Sequence, residues 1–336
     1  MIIPGTLTQV LVIDDVTQVG NARRVSQQLA ALAGFDDVDA GRVALVATEL
    51  ASNIHKHAQR GELHLRIVPT PGMQGVEIIA IDRGDGFNID VCLADGYSTG
   101  GTQGIGLGAI SRMAQVFDVF SDTRGSVVLA RIYAGRARRQ VDRRFGVSHH
   151  SMTEGTNSGD TWSIAWRETG ISALVIDGLG HGDEAANAAI AGAERFADTH
   201  MLSPVEALQS IHQAMMGTRG GAAAMARFDT CENQLHFVGI GNIGASLETG
   251  ESSRGLASHP GIVGLQFRTL HPLIFSQAGG QLLIMHSDGL QSRWRLSDYP
   301  GLWHRHPAVI AALLHRDFCR GRDDATVLVV ALEAST

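Results

Sequence analysis

Lysine is all but missing from this 336-residue chain: Lys56 is the only one, and every other Lys/Arg-type basic residue is an arginine. Cysteine is scarce as well. Cys92, Cys231 and Cys319 are odd in number, lie far apart and match neither a zinc-ligand spacing nor a disulfide framework. They read as buried free thiols, and a chain of this kind is expected in the cytoplasm. No apolar run approaches the ~20 residues of a membrane helix, so no membrane partner is expected. The opening MIIPGTLTQV has neither a charged start nor a long apolar segment, so no signal peptide is expected either. Positive charge is in deficit overall, with a formal net charge of -7, whereas phosphate backbones are gripped by clustered basic residues. Nucleic acid is therefore not an expected partner. The sequence also has no internal repeat and no low-complexity tract.

What is present is an ordinary globular composition, 44% hydrophobic and 18% charged. The length suits two domains, each large enough to bury a core. Strand-like alternation over residues 7–13 leads into Asp14 and Asp15, then a helical pattern over 18–32. A second helix starts near residue 39 and carries Val43, Val46, Leu50 and Ile54 at helical spacing. Strands follow at 63–68 and 76–81, split by a Pro/Gly turn. A polar loop spans about 83–103, followed by a helix at 105–115 and strands at 116–121 and 126–133. The basic stretch 134–140 has no apolar periodicity and reads as a linker. The expected division is a first domain over 1–134, a linker over 135–142 and a second domain over 143–336. The second half is strand-rich, with two adjoining helices at 183–199 and 204–215. That order suggests stacked antiparallel sheets flanked by helices, an α+β architecture.

In the first half, Glu49 and Asn53 are four apart on one helix and so share a face, with Lys56 a further turn along. The carboxylate can activate a hydroxyl, the amide oxygen can hold Mg2+, and the ammonium can meet phosphate oxygens. Asp82 closes an apolar strand in IAIDRGDGF, where it can accept a proton from the amino group of adenine. Gly84 and Gly86 let the backbone approach the base. Gly104, Gly106 and Gly108 then bare the backbone at a helix start, where phosphates bind N–H groups. The arrangement implies an ATP pocket. The order resembles the GHKL ATPase family, with its Bergerat α/β sandwich, and within it the small serine kinases of bacterial stress and sporulation switches. The stretch ATELASNIHKHA is similar to that family's N box, IAIDRGDGF to its first glycine box and TQGIGLGAISRM to its second, while Gly125–Ser126 resembles the small pair closing the pocket. The resemblance implies Glu49 as general base, Asn53 as Mg2+ ligand and Asp82 as adenine reader. No phospho-acceptor histidine region accompanies it. His55 and His57 read as surface or pocket-rim residues.

In the second half, SALVIDGLGHG places Asp177 at the end of a buried strand and just before a flexible turn. QLLIMHSDG does the same with Asp288, and in RDDATVLVV the pair Asp323–Asp324 precedes a strand. Three apolar strands would gather carboxylates at one sheet edge, which needs cations between them. Two metals there would activate a water and clamp a phosphate ester. The set resembles the PPM-type, SpoIIE-like serine/threonine phosphatases and implies their α-β-β-α sandwich. By that resemblance Asp177 bridges two metals, Gly178 lends its carbonyl, Asp288 and Asp323 complete the core, and Asp160, in NSGD, serves an additional metal. The motif favours Asp323 over Asp324. GIGN at 239–242 is similar to the family's G-x-G-N turn. His181, His149, His150, His304 and His306 read as turn or surface residues, and Trp162 and Trp166 as packing.

Together these resemblances imply a bifunctional enzyme using ATP with Mg2+ or Mn2+. Its kinase half would phosphorylate, and its phosphatase half dephosphorylate, serine or threonine on a STAS-domain partner. A sigma factor as second partner and a homodimer are both compatible. The rival reading keeps the phosphatase and makes the first half a non-catalytic ATP-sensing or sigma-factor-binding module.

Overall fold

The computed structural model describes residues 1–70, 72–93, 106–135, 142, 144–153 and 155–333. The chain forms two compact units. Thr8–Arg144 make one, and Met1–Leu7 join Phe145–Thr336 in the other. The first unit is a five-stranded antiparallel sheet with helices on one face. Its strands are β2 (Gln9–Ile13), β3 (Gly61–Thr70), β4 (Met73–Asp82), β5 (Val116–Asp122) and β6 (Gly125–Tyr133), in the order β2-β3-β4-β6-β5. The helices α1 (Val16–Leu32), α2 (Asp37–Asn53) and α4 (Gly106–Met113) bury Val43, Val46, Leu50 and Ile110 against Leu63, Leu65, Ile78 and Ala130. Short polar residues start two of these helices: the carboxylate of Asp15 accepts from Thr17 N–H at 2.6 Å, and that of Asp36 from Asp39 N–H at 2.8 Å. Each satisfies a donor that the helix itself leaves open.

Strand alternation sends the even residues of β3 and the odd residues of β4 and β6 to the other sheet face. There Arg66 opposes Glu77, and Glu77 opposes Arg131. Arg66 and Arg131 both donate to Glu77, at 2.6 and 2.7 Å, and Arg131 also donates to Asp142 at 2.7 Å. The Tyr133 hydroxyl reaches the same Asp142 oxygen at 3.1 Å. Burial alone would depress Arg131, but Glu77 and Asp142 outweigh it and hold its pKa above the usual range. This buried ionic row has no signature in a one-dimensional pattern. Residues 136–141 of the expected linker lie outside the described residues.

The second unit stacks two sheets. The six-stranded sheet runs β1-β8-β9-β10-β11-β16 and the five-stranded sheet β13-β12-β17-β18-β7, with β11 at Gln234–Ile240, β12 at Gly244–Glu248, β13 at Ser253–Gly255 and β16 at Leu273–Ser276. Of these, the site depends on β1 (Ile2–Pro4), β7 (Phe145–His150), β8 (Asp160–Arg167), β9 (Gly170–Gly178), β10 (Gly221–Asp229), β17 (Leu282–His286) and β18 (Ala325–Ala331). Helices α5 (Asp183–Thr199) and α6 (Pro204–Met215) lie on the first sheet, and α7 (Pro307–Phe318) on the second. This is the α-β-β-α layering expected of the second half. One division differs from expectation. Residues 1–7 fall within the expected first domain, yet Ile2, Ile3 and Pro4 pair with Ala165, Ile164 and Ser163 at the edge of the second unit's sheet. Backbone hydrogen bonding, not proximity in sequence, decides that membership.

Trp162 is buried, and it and Trp166 pack on Phe145 with ring centroids 6.1 and 5.3 Å apart, as packing residues should. Of the histidines, His181 and His304 are exposed as expected, whereas His149 and His306 are buried and His150 stacks on His315 at 4.0 Å. The thiols are free, but Cys231 is exposed, and Cys92 and Cys319 are only partly buried. Among the described residues no helix is long and apolar enough to cross a membrane.

Candidate functional site

Helix α2 brings Glu49 and Asn53 into one cavity of about 400 Å³, which Lys56, Asp82, Gly84, Gly86, Gly106 and Ser126 also line. Asn53 is the last α-helical residue. Ile54–Ala58 continue as a π-helical turn, so Lys56 sits exposed on a wider coil rather than on the same α-helical row. Such turns break the i→i+4 ladder and recur at functional sites. Asp82 ends β4 with its carboxylate fixed from two sides: one oxygen accepts from Gly84 N–H at 2.9 Å, and the other from the Ser126 hydroxyl. Gly125 makes that approach possible. At φ +125° it turns β5 into β6 so closely that a Cβ would lie 2.1 Å from the Asp82 carbonyl oxygen. Gly86 at φ +70° is equally confined, against the Asp122 carbonyl. Gly106 opens α4 and also has positive φ, while Gly108 is buried within the helix. Gly104 lies outside the described residues. The cavity volume, the fixed carboxylate and the glycine-lined approach suit a purine nucleotide.

The second candidate site lies at one edge of the sandwich. Asp160 and Asp177 are direct cross-strand partners at the adjoining ends of β8 and β9. Asp160 is buried and accepts from the Ser287 hydroxyl at 2.5 Å, and Ser287 in turn accepts from Thr326 N–H at 3.0 Å. Asp288 accepts from the Asn242 side chain at 2.8 Å, which ties the 239–242 turn to this edge. Burial pushes the Asp177 carboxyl well above the usual range, and the charges of Asp160, Asp288 and Asp323 push it further. Burial raises Asp160 likewise. Asp323 and Asp324 separate cleanly. Asp324 is buried and accepts from Met152 N–H at 2.6 Å and Gly159 N–H at 2.5 Å, whereas Asp323 is exposed. Gly178 abuts Ala185, where a Cβ would lie 2.3 Å from the carbonyl oxygen. Among the described residues, no group of three or more His, Cys, Asp or Glu side chains is already drawn to coordinating distance. The fit to metal therefore rests on chemistry. The donors are all oxygen, as hard divalent cations prefer, and a cation beside Asp160 and Asp177 would offset the burial and the neighbouring charges that raise both.

Ser287 and the anchoring role of Asp324 escaped the sequence reading. Each acts across residues far apart in the chain, 127 positions for Ser287 and Asp160 and 165 for Asp324 and Gly159.

Comparison with known proteins follows the same division. Residues 13–132 match the histidine kinase-like ATPase domain model. The serine/threonine-protein kinase RsbT of Bacillus subtilis is 36% identical over 101 residues, 30% of this chain and 76% of the kinase. A structure from work on the bacterial stressosome, a modular system adapted to control secondary-messenger signalling, aligns with TM-score 0.52 at 26% identity. It covers 55% of this chain and 97% of its own. The PP2C phosphatase domain of SpoIIE from Bacillus subtilis, with a fragment of its regulatory domain, aligns with TM-score 0.50 at 17% identity over 95% of this chain and 98% of that one. At that identity the likeness speaks for fold.

Proposed function

We propose a two-way phosphorylation switch, since the chain belongs to the histidine kinase-like ATPase family, as a relative of the serine/threonine kinase RsbT, and joins that domain to a PP2C-type phosphatase fold. The observation that carries the first half is Asp82, clamped by Gly84 and Ser126 at the floor of a cavity that Glu49 and Asn53 also line. Asp82 would accept from the adenine amino group, Asn53 would hold Mg2+, and Lys56 and the backbone from Gly106 would face the phosphates. ATP, when bound, supplies the phosphoryl group. Glu49 takes the proton from the acceptor serine or threonine hydroxyl as general base. In the second half Asp177, Gly178, Asp288 and Asp323, with Asp160 beside them, would hold Mg2+ or Mn2+. Divalent cations there supply the positive charge that readies a water for attack on a phosphate ester. The protein's part is to fix those carboxylates on strand ends, with Ser287 and Asn242 orienting them. The partner chemistry is that of a STAS-domain protein, a reading supported by the kinship to RsbT and the likeness to a stressosome structure.

The test is to incubate the full chain with labelled ATP, Mg2+ and a STAS-domain protein. Wild type should phosphorylate the partner, and Glu49→Ala should cut that rate about 10²–10⁴-fold. Asp177→Asn should raise the steady-state phosphate on the partner, because removal stops while addition continues. Unchanged labelling in Asp177→Asn would sink the opposed activities. Labelling that survives Glu49→Ala but not Asn53→Ala would leave the first half a nucleotide binder without this general base.

A further inference from the structure

An exposed arginine flanked by apolar residues stands as a rim beside the turn that follows Asp177. Leu179 in that turn donates its backbone N–H to the Gly220 carbonyl at 2.9 Å, which brings residues 179 and 220 together. Gly220 has φ +71°, and a Cβ on it would lie 2.4 Å from the Val263 carbonyl and 3.4 Å from Leu265 Cγ. Residues 179 and 265 therefore both lie against Gly220, the chain neighbour of Arg219. Both leucines are largely exposed, at 49% and 55%. The Arg219 guanidinium lies against Gly180, where a Cβ would be 3.1 Å from its nitrogen, and it pairs with Glu184 at the start of α5. The backbone beneath is rigid. Gly220 N–H donates to the Thr218 hydroxyl at 3.0 Å, that hydroxyl donates to the Met215 carbonyl at 2.6 Å, and Gly221 and Val263 exchange two backbone bonds at 3.0 and 2.8 Å.

Resting on the phosphatase reading, we propose that this rim recognises the phosphoserine- or phosphothreonine-bearing segment of a protein: Arg219 takes the phosphate, and Leu179 and Leu265 take an apolar side chain next to it. The metal edge is built of carboxylates and repels a phosphate dianion unless positive charge meets it. Arg219 is the guanidinium packed on the turn leading out of Asp177. Its present partner is a single carboxylate, and a pair this exposed holds weakly. A phosphate offers two charges and a fork of oxygens to the planar guanidinium, a geometry it binds better. The exposed leucines on either side of Gly220 cover an apolar neighbour of the phosphorylated residue, and the short glycine turns leave room for an extended backbone.

Three probes separate the contributions: p-nitrophenyl phosphate, a phosphothreonine peptide with leucine neighbours, and the same peptide with alanine neighbours. With the full chain and Mn2+, Arg219→Ala should raise KM for all three about tenfold at nearly constant kcat, with Arg219→Lys recovering part. The inhibition constant of inorganic phosphate should rise by the same factor. Leu265→Ala should raise KM for the leucine peptide alone, by roughly fivefold. Anisotropy with a labelled peptide bearing a non-hydrolysable phosphonate reads binding without turnover, and the same factors should appear in Kd. Phosphonate binding that is indifferent to Arg219 and Leu265 overturns the rim even if hydrolysis is robust. Arg219-dependent binding by a wild-type protein that hydrolyses nothing overturns the phosphatase reading and leaves the rim standing.

Discussion

Asp323 and Asp324 are chain neighbours with opposite duties. Asp324 spends both oxygens on the backbone of residues 152 and 159, so it moors the segment that leads into Asp160. Asp323 points to the exposed edge with most of its acceptor capacity free for a cation. Asp324→Asn should lower the unfolding free energy by about 1–3 kcal/mol in urea titrations, since a buried carboxylate serving two N–H donors is lost. Asp323→Asn should leave the metal-free midpoint within about 0.5 kcal/mol. Its Mn2+ affinity by calorimetry should fall at least roughly tenfold. If Asp324→Asn instead abolishes Mn2+ binding at full stability, the two duties are reversed. The motif had favoured Asp323 without a physical reason. Hydrogen bonding supplies one, and it was invisible in the sequence because Met152 and Gly159 donate from a distant loop.

Among the elements, β3, β4 and β6 were legible as strands from their alternation, but what they carry on the second face was not. Periodicity tells which residues share a face and says nothing of register. Register is what sets Arg66 opposite Glu77 and Glu77 opposite Arg131. Asp142 supplies a second carboxylate to a row in which two arginines meet Glu77. Asp142→Asn in the full chain should therefore cost about 3 kcal/mol, the usual penalty for stranding a buried charge. Chemical denaturation checks it, and a loss under 1 kcal/mol would mean solvent reaches the row. The helices α1, α2 and α6 were legible, and their ends are marked locally by Asp15, Asp36 and the Ser203–Glu206 capping box; α7 was not, because Pro307 to Leu314 are buried without a break and show no amphipathic period. The π-helical turn at 54–58 was not legible, because nothing in the residues Ile54–Ala58 separates it from a continuing α-helix.

For the molecule as a whole, the raised carboxyls of Asp160 and Asp177 set a pH dependence. Asp160 and Asp177 have folded-state pKa values above their unfolded ones, so their stabilising contribution is complete below the ordinary carboxyl range. It is lost as pH climbs through the raised values, when buried carboxylates are forced to ionise side by side. Metal-free protein should melt progressively lower from pH 5 to about 9. Added Mn2+ should flatten or invert that trend, because a cation favours the ionised forms. A metal-free melting temperature that rises with pH across this window contradicts the assignment. The two-domain plan and its order were legible from motifs that are local in sequence. The pairing of Ile2–Pro4 with β8 was not, since three residues carry no usable pattern. That short strand makes the PP2C-like unit discontinuous, with the ATPase-like unit inserted in the chain between its first strand and the rest. During synthesis the first strand leaves the ribosome some 160 residues before Ser163–Ala165, its partners, and must wait through the folding of an entire other domain. The PP2C-like unit is begun before the ATPase-like unit and can be completed only after it.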